Sequence, residues 1–409
     1  MTERKWLLMI LAIGLLLRLG AALGVQHRLD RSADQEFLIV GDAQGYWHLA
    51  GQIARGDEYS VHYPPRYVLR MPGFPALLAV PIALFGKNML AARILLAIVG
   101  TFACWLVYWL ARVLFDERAG LIAAALVAVC PTMVLFSVLI LSETLFAVGL
   151  VGSLIPMALL LRNEFFPDSN RRLVQGSLAV GLLIALACYA RPSWLLAAPA
   201  FAGLAMLLST HRKRAGVSGL LVMTTLALSL LPWGLRNRRV TGHFVPTTLW
   251  VGASLYDGLS PDATGASDMA FFDRDNLLAT MGEYEVDRHY RRAAFQYAAD
   301  NPGRTAELAL LKTVRFWKPW PNAAQFRQWW QKLAVACYFV PLCGFAVVGL
   351  VRKRQCAWVL LLTIGPILYF SAVHAVFVGS LRYRLPAEYP LCVMSAVGLR
   401  NCWQRWGNS

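Results

Sequence analysis

The chain has 409 residues, of which 58% are hydrophobic and only 15% are charged. A soluble domain carries about 45–50% apolar and ~25% charged residues, so this composition excludes a disordered chain, a disulfide-rich mini-protein and an ordinary cytosolic enzyme. The formal net charge of +16 suggests nucleic acid as a partner, but a body this apolar would not stay in solution. A polytopic membrane protein with no nucleic-acid partner is therefore predicted.

Ten apolar stretches predict membrane-spanning helices, because a hydrocarbon core of about 30 Å needs about 20 apolar residues in a helix. In chain order they are residues 6–25, 88–114, 119–139, 144–161, 173–190, 194–208, 216–235, 332–351, 357–378 and 385–403. The apolar stretch 73–86 is short and contains Pro75 and Pro81, which favours a helix lying at the membrane interface. The predicted fold class is an all-α polytopic membrane protein with about ten transmembrane helices, interfacial helices in the first outer loop and a small helical periplasmic insert.

Six clusters of positive charge alternate with turns that are poorer in Lys and Arg, and this alternation sets the orientation of the spans. The clusters are Arg4/Lys5, Arg112/Arg118, Arg162/Arg171/Arg172, residues 212–214, residues 352–354 and Arg400/Arg405. Placing them in the cytoplasm puts both termini there and leaves two long polar segments outside, residues 26–72 and 236–330. These segments nearly balance their charges, with five basic against six acidic residues and twelve against ten. The positive charge of the chain therefore mostly reports its topology.

The predicted organisation has three parts. Residues 1–235 form an N-terminal transmembrane module with a catalytic first outer loop at 26–72, residues 236–330 form a periplasmic helical loop, and residues 331–409 form C-terminal transmembrane helices. Within the second outer segment a helical pattern runs from about residue 283 to residue 314 and breaks at Asn301-Pro302-Gly303. This segment is too short for a nucleotide-sugar-binding α/β domain.

Two carboxylates are candidates for catalysis. Asp42 lies just outside the first span and shares a helix face with Tyr46 and Ala50, each four residues further on. Glu143 lies between two apolar spans, and a carboxylate at membrane depth is costly and marks a functional site by default. The alternative interpretation of both is a cap at a helix N-terminus.

Several arginines lie at the predicted outer ends of the spans, although membrane proteins concentrate positive charge in their cytoplasmic loops. They belong to Arg66 and Arg70, to Arg191-Pro192, to Pro232-Trp233-Gly234-Leu235-Arg236-Asn237 and to Arg382-Tyr383-Arg384. A lipid phosphate held by arginine would explain them together, whereas headgroup contact would explain any one alone. His48 and His62 with Asp42 could gather on a divalent metal, although such histidines are more often packing residues.

These motifs, in their order along the chain, resemble the polytopic GT-C glycosyltransferases. The resemblance is to the bacterial family 39 type, related to protein O-mannosyltransferases and to the aminoarabinose transferase that acts on lipid A. The residues that carry it are Asp42 with Tyr46 and Ala50, Arg70-Met71-Pro72-Gly73-Phe74-Pro75, Leu84-Phe85-Gly86, Arg93, Ser142-Glu143-Thr144, Arg191-Pro192, Pro232-Trp233 with Arg236-Asn237, Asn301-Pro302 with Lys312, and Arg382-Tyr383-Arg384-Leu385-Pro386.

The resemblance implies an inverting hexosyl- or pentosyltransferase that takes a sugar from a polyprenyl-phosphate carrier. The sugar passes to a lipid, glycan or protein acceptor on the periplasmic face of a bacterial inner membrane. Asp42 and Glu143 are then the expected catalytic residues. The expected substrate and carrier-phosphate contacts are Tyr46, His62, Arg66, Arg70, Arg191, Arg236, Asn237, Lys312, Arg382, Tyr383 and Arg384. Some relatives bind a divalent metal, so a metal stays open, and no other cofactor is expected.

Two other functions stay open. A transporter or flippase for polyprenyl-linked substrates would also need many spans, but it predicts internal repeats and broken helices near the midplane. An O-antigen polymerase or ligase would place its essential arginines mainly in the late outer loop. Convergence of Asp42, Glu143, Arg70 and Arg382 on one outward cavity would favour the transferase over both alternatives.

Overall fold

The computed structural model describes residues 2–32, 35–162, 169–321, 326, 328–352 and 356–406. Its regular secondary structure is helical there, apart from one isolated antiparallel bridge between Val61 and Arg66. Two short 3-10 turns occur at Pro192–Trp194 and Leu277–Ala279. The α-helices are α1 (Glu3–Asp30), α2 (Asp42–Arg55), α3 (Gly73–Phe85), α4 (Met89–Leu114), α5 (Glu117–Val129), α6 (Pro131–Phe136), α7 (Glu143–Arg162), α8 (Asn170–Ala190), α9 (Ala197–Leu208), α10 (Arg212–Thr241), α11 (Val251–Gly258), α12 (Ala270–Asp275), α13 (Glu283–Asp300), α14 (Pro302–Trp317), α15 (Trp329–Arg352), α16 (Ala357–Thr363), α17 (Gly365–Val376) and α18 (Leu381–Trp406). The predicted all-α fold class is confirmed.

Six helices in the described part of the chain are long and apolar enough to cross a membrane, namely α1, α4, α7, α8, α10 and α15. A seventh span results if α16 and α17, which meet at a bend of 55°, are taken as one. The predicted count of ten is not confirmed. The stretch 194–208 contains only the 12-residue helix α9 after a 3-10 turn. Helix α18 is long enough but carries charged residues along its length, including the buried Arg384 and Glu388.

The stretch 119–139 is not one helix, as predicted, but two, because Pro131 begins α6. Proline has no N–H to donate to the carbonyl four residues before it, which here is Val127. The buried guanidinium of Arg18 replaces the missing donor, and its Nη2 and Nη1 bond the oxygens of Val127 and Ala128, both at 3.2 Å. A break at membrane depth is therefore satisfied by a side chain from the first helix.

Helix α7 lies at the centre of the fold. In its most apolar 18-residue stretch 72% is buried, whereas the corresponding share is 22% in α1 and in α15. Peripheral helices keep an apolar face exposed, as expected of helices that face lipid. Helix α3, predicted as an interfacial helix, packs beside the end of α8. A Cβ atom on Gly73 would lie 2.7 Å from the carbonyl oxygen of Tyr189, so only glycine permits this approach. The contact brings the segment before α3 close to the segment after α8.

Helices α13 and α14 form the helical insert that the sequence predicts within residues 236–330. The first ends at Asp300 and the second begins at Pro302, where the sequence predicted a break. Helix α14 packs mainly against α17 and, to a lesser extent, against α18. The insert is therefore fixed to the last helices of the chain.

Candidate active site

One cavity of about 810 Å³ lies where the segments before α3 and after α8 meet the start of α18. Its polar lining comes from segments that are distant in sequence: Asp42 and Tyr46 of α2, Arg70 before α3, Arg191 after α8, residues 247–257, Arg315 of α14, and Arg382 and Tyr383 of α18. Apolar residues around Leu195, Tyr369 and Phe377 complete the wall. A largely apolar cavity with a few convergent polar groups is the usual form of a ligand site.

Asp42 is held by two arginines. Arg70 donates through Nη2 to Oδ1, and Arg382 donates through Nη1 to Oδ2 at 2.8 Å. About a quarter of the Asp42 side chain stays exposed. Burial by itself would raise the pKa of Asp42, but the positive charges of Arg70, Arg382 and Arg191 outweigh it and hold the pKa well below its ordinary value.

Glu143 lies behind this pair and is completely buried. Its Oε1 accepts hydrogen bonds from Nε of Arg382 and from Nη1 of Arg191, the latter at 2.5 Å. It is the first residue of α7, where the helix dipole also favours a negative charge. Arg382 therefore bridges both carboxylates, and the cluster runs from Arg70 through Asp42, Arg382 and Glu143 to Arg191.

Aromatic rings support this cluster. Tyr383 lies 5.3 Å from the guanidinium of Arg191 and stacks on His374 at 4.5 Å. Tyr46 lies 5.3 Å from the guanidinium of Arg70 and shares a hydrogen bond of 3.2 Å with the hydroxyl of Ser142. Such contacts fix the orientation of flexible arginine side chains.

The loop that carries Arg70 is tied to the second outer segment. Glu283, the first residue of α13, accepts hydrogen bonds from the backbone N–H groups of Tyr67 at 2.9 Å and Val68 at 3.0 Å. The oxygen of Val68 accepts from the N–H of Leu249 at 2.9 Å. Arg236 donates to the oxygens of Tyr67 and Tyr59 at 2.6 and 2.9 Å. We call this set of contacts the loop clamp.

Six of the predicted contact residues do not line the cavity: His62, Arg66, Arg236, Asn237, Lys312 and Arg384. Arg66 lies 4.4 Å from the ring of Trp250, and Asn237 donates to the oxygen of Val245 at 2.8 Å. Lys312 donates to the oxygen of Val376 at 2.7 Å. Arg384 pairs with Glu388 at 2.5 Å.

His62 adopts a positive φ of 68° in the loop before Arg66. Burial and the charge of Arg66 lower its pKa. The structure thus gives Arg66, Arg236, Asn237, Lys312 and Arg384 contacts to backbone oxygens, rings or carboxylates outside the cavity lining. The other predicted residues, Asp42, Tyr46, Arg70, Arg191, Arg382 and Tyr383, line it, and Glu143 supports them from behind.

Sequence analysis missed Asp257, Arg315, His374 and Trp250, all of which line the cavity. Asp257 and Arg315 belong to a segment with many charged residues, and no spacing distinguishes them. His374 lies within an apolar stretch, where a histidine at membrane depth was an available signal.

A divalent metal does not fit this site. In the described part of the chain no three His, Cys, Asp or Glu side chains come together. Both oxygens of Asp42 face guanidinium groups, which would repel a cation. We therefore derive no step through a metal.

The chain shares its fold with solved membrane oligosaccharyltransferases, and part of it matches a mannosyltransferase family model, in agreement with the GT-C resemblance of the sequence motifs. The archaeal oligosaccharyltransferase AglB from Archaeoglobus fulgidus, solved with an inhibitory peptide and a dolichol-phosphate, matches with a TM-score of 0.61 at 18% identity, over 98% of this chain and 51% of that chain. The apo form from the same organism matches with a TM-score of 0.60 at 17% identity, over 98% and 51%. This chain spans about half the length of these proteins.

Residues 69–235 match the family model described as dolichyl-phosphate-mannose-protein mannosyltransferase. ArnT from Cupriavidus metallidurans, solved bound to undecaprenyl phosphate, matches with a TM-score of 0.46 at 17% identity, over 97% of this chain and 79% of that chain. No curated protein matches the chain significantly.

Proposed function

We propose that this protein transfers a sugar from a polyprenyl-phosphate carrier to an acceptor on the outer face of the membrane, with inversion at the anomeric carbon. The observation that carries the proposal is the cluster in which Arg382 bridges Asp42 and Glu143, flanked by Arg70 and Arg191, at the wall of one cavity. A bacterial inner membrane and a periplasmic site fit the distribution of positive charge along the chain.

The arginines suit the leaving group. A sugar linked to a carrier through a phosphate leaves behind a phosphate anion, which needs no general acid but gains negative charge in the transition state. Preorganised guanidinium groups in a cavity shielded from water stabilise such charge most effectively. Arg70 and Arg382 reach the cavity directly, so we assign them to the carrier phosphate, with Arg191 beside them.

Asp42 suits the base. The acceptor hydroxyl must lose a proton to a group within hydrogen-bond reach, and Asp42 is the partly exposed carboxylate of the cluster. Two arginines depress its pKa, which makes it a weak base until the donor arrives. A carrier phosphate competes for the same guanidinium groups, so its binding raises the pKa of Asp42 at the moment the base is needed.

The carrier class has further support. The matched family is described by a dolichyl-phosphate-linked sugar, and the archaeal oligosaccharyltransferase was solved with a dolichol-phosphate. Both are polyprenyl-phosphate lipids. The transferred sugar, a hexose or a pentose, and the acceptor, a lipid, a glycan or a protein, are left to experiment.

The test is Asp42→Asn in the purified full-length chain, assayed with labelled polyprenyl-phosphate sugars and membrane extract. Loss of the base lowers transfer by about 10²- to 10⁴-fold while the protein still folds. The matched control is Asp57→Asn, since Asp57 is half exposed and pairs only with Arg55 at 2.6 Å. Full activity of Asp42→Asn would remove Asp42 from the mechanism.

A further inference from the structure

Arg315 is a cation of the cavity that the reaction at Asp42 does not use. It lies on α14, three residues after Lys312, so both side chains leave the same face of the helix. Gly265, in a left-handed conformation with φ 79°, packs against both, and a Cβ there would lie 3.5 Å from each side chain. Arg315 lines the cavity together with Ala266 and Ser267, which follow Gly265 in the same loop.

Arg315 has no partner among the residues that the structure describes. Its Nε is buried without a hydrogen bond, and no carboxylate of the described residues pairs with its guanidinium. Arg70, Arg191 and Arg382 all contact Asp42 or Glu143. A buried donor without an acceptor is unfavourable, and a bound anion would supply the missing acceptor.

Asp257 does not neutralise Arg315. One oxygen of its carboxylate accepts from the hydroxyl of Ser267 at 2.7 Å and the other from the N–H of Asp268 at 2.8 Å. The nearby charge of Lys312 offsets the charge of Asp257. Burial raises the pKa of Asp257 and lowers the pKa of Lys312 to about 8, and the opposite charge of each residue offsets part of the shift in the other.

The charges leave room for a second anion. Four arginines and two aspartates line the cavity, and the buried Glu143 and Lys312 lie behind them. Five cations thus face three anions, an excess of two. A sugar donor with a single phosphodiester carries one negative charge and offsets one of them.

We propose that Arg315 binds an anionic group, a phosphate or a carboxylate, on the acceptor. The acceptor is then an anionic lipid or glycan rather than a neutral one. This inference rests on the proposed function, because a molecule in this part of the cavity is an acceptor only if transfer takes place there.

The experiment measures binding without transfer, so its failure is distinct from a failure of the proposed function. The full-length chain in nanodiscs is first saturated with farnesyl phosphate, which occupies the carrier-phosphate site. Glucose 1-phosphate, glucose and inorganic phosphate are then titrated by calorimetry. We expect glucose 1-phosphate to bind at least tenfold more tightly than either of the other two.

Arg315→Gln should abolish that preference, and Arg315→Lys should retain part of it, which also controls for folding. Arg292→Gln, which removes an exposed charge from α13, should leave the preference unchanged. Equal binding of glucose and glucose 1-phosphate, or a preference that survives Arg315→Gln, overturns the proposal. Binding of inorganic phosphate as tight as that of glucose 1-phosphate also overturns the proposal. The proposal also fails if farnesyl diphosphate binds the unsaturated protein more tightly than farnesyl phosphate does and Arg315→Gln abolishes this difference in affinity. That result would assign Arg315 to the donor.

Discussion

Arg382 is the residue on which the site depends, because it is the only side chain of the described residues that contacts both catalytic candidates. Its Nη1 serves Asp42 and its Nε serves Glu143, so one guanidinium fixes the separation of the two carboxylates. Glu143 is fully buried, and a buried carboxylate is tolerated only while its charge is compensated. Arg382 therefore has a structural role in addition to the role that we propose for it in binding the carrier phosphate.

Arg382→Gln should destabilise the protein more than the double variant Arg382→Gln/Glu143→Gln. The single change leaves Glu143 buried with Arg191 alone, and breaking one side of a buried pair costs about 3–5 kcal/mol. The double change removes the uncompensated charge. The melting temperatures of the variants in detergent measure this order of stability. Melting temperatures that fall additively in the two single variants and the double variant would show that the pair is not coupled.

Arg384 differs from Arg382 although both belong to one short motif. Helix α18 begins at Leu381, so residues two apart in it leave opposite faces. Arg382 therefore points to the cavity, and Arg384 points into the protein, where it contacts Glu388 and the oxygens of Phe316 and Lys318. The sequence prediction began this helix at residue 385, which hid the difference.

Among the contacts between elements, the loop clamp connects the insert of α13 and α14 to the loop that carries Arg70. Glu283 belongs to the insert, yet its carboxylate binds the backbone N–H groups of Tyr67 and Val68, which lie three and two residues before Arg70. Burial raises the pKa of Glu283 and leaves it dependent on the charge of Arg66 and on the two N–H donors. The insert is therefore a positioning element for Arg70, the proposed carrier-phosphate contact.

Glu283→Ala should raise the KM for the polyprenyl-phosphate donor about tenfold or more and leave the KM for the acceptor nearly unchanged. The change leaves two backbone N–H groups without acceptors, at a cost of about 1–3 kcal/mol, and allows the loop with Arg70 to move. Initial rates with each substrate varied in turn separate the two effects. Glu285→Ala is the control, since Glu285 is half exposed and pairs only with His243. Equal changes in both KM values would indicate general loss of structure.

Composition and motif order predicted the helical fold and the ends of most long helices, because apolar length and helix chemistry are local properties. They could not predict which cations meet. Arg70, Arg191 and Arg382 are separated by well over a hundred residues, and their contacts depend on how the helices pack. The proline at position 131 indicates a possible helix break. The fold tolerates this break because Arg18 bonds the oxygen of Val127, which lies 109 residues further along the chain.

For the whole molecule, the orientation inferred from the charges can be tested with a native thiol. Cys356 is exposed at the start of α16, beside the basic cluster at 352–354. We expect it to react with an impermeant maleimide only after the membrane is permeabilised. A cysteine in place of Asp262, which is 78% exposed in the second outer segment, should react in intact cells. Cys356→Ser gives the background, and the reverse labelling pattern would invert the topology.

The capping of the broken helix by Arg18 also constrains biogenesis. Helix α1 leaves the ribosome 109 residues before Val127, its partner in α5, and synthesis at about 5–20 residues per second separates them by roughly 5–20 s. During that interval Arg18 keeps its bond to the oxygen of Gly14 within α1 but lacks the oxygens of Val127 and Ala128. An arginine near the centre of a helix in the bilayer costs about 2.5–3.5 kcal/mol on the insertion scale. The first helix therefore has a reason to stay beside the translocon until α5 arrives, and insertion of the early helices becomes a cooperative event.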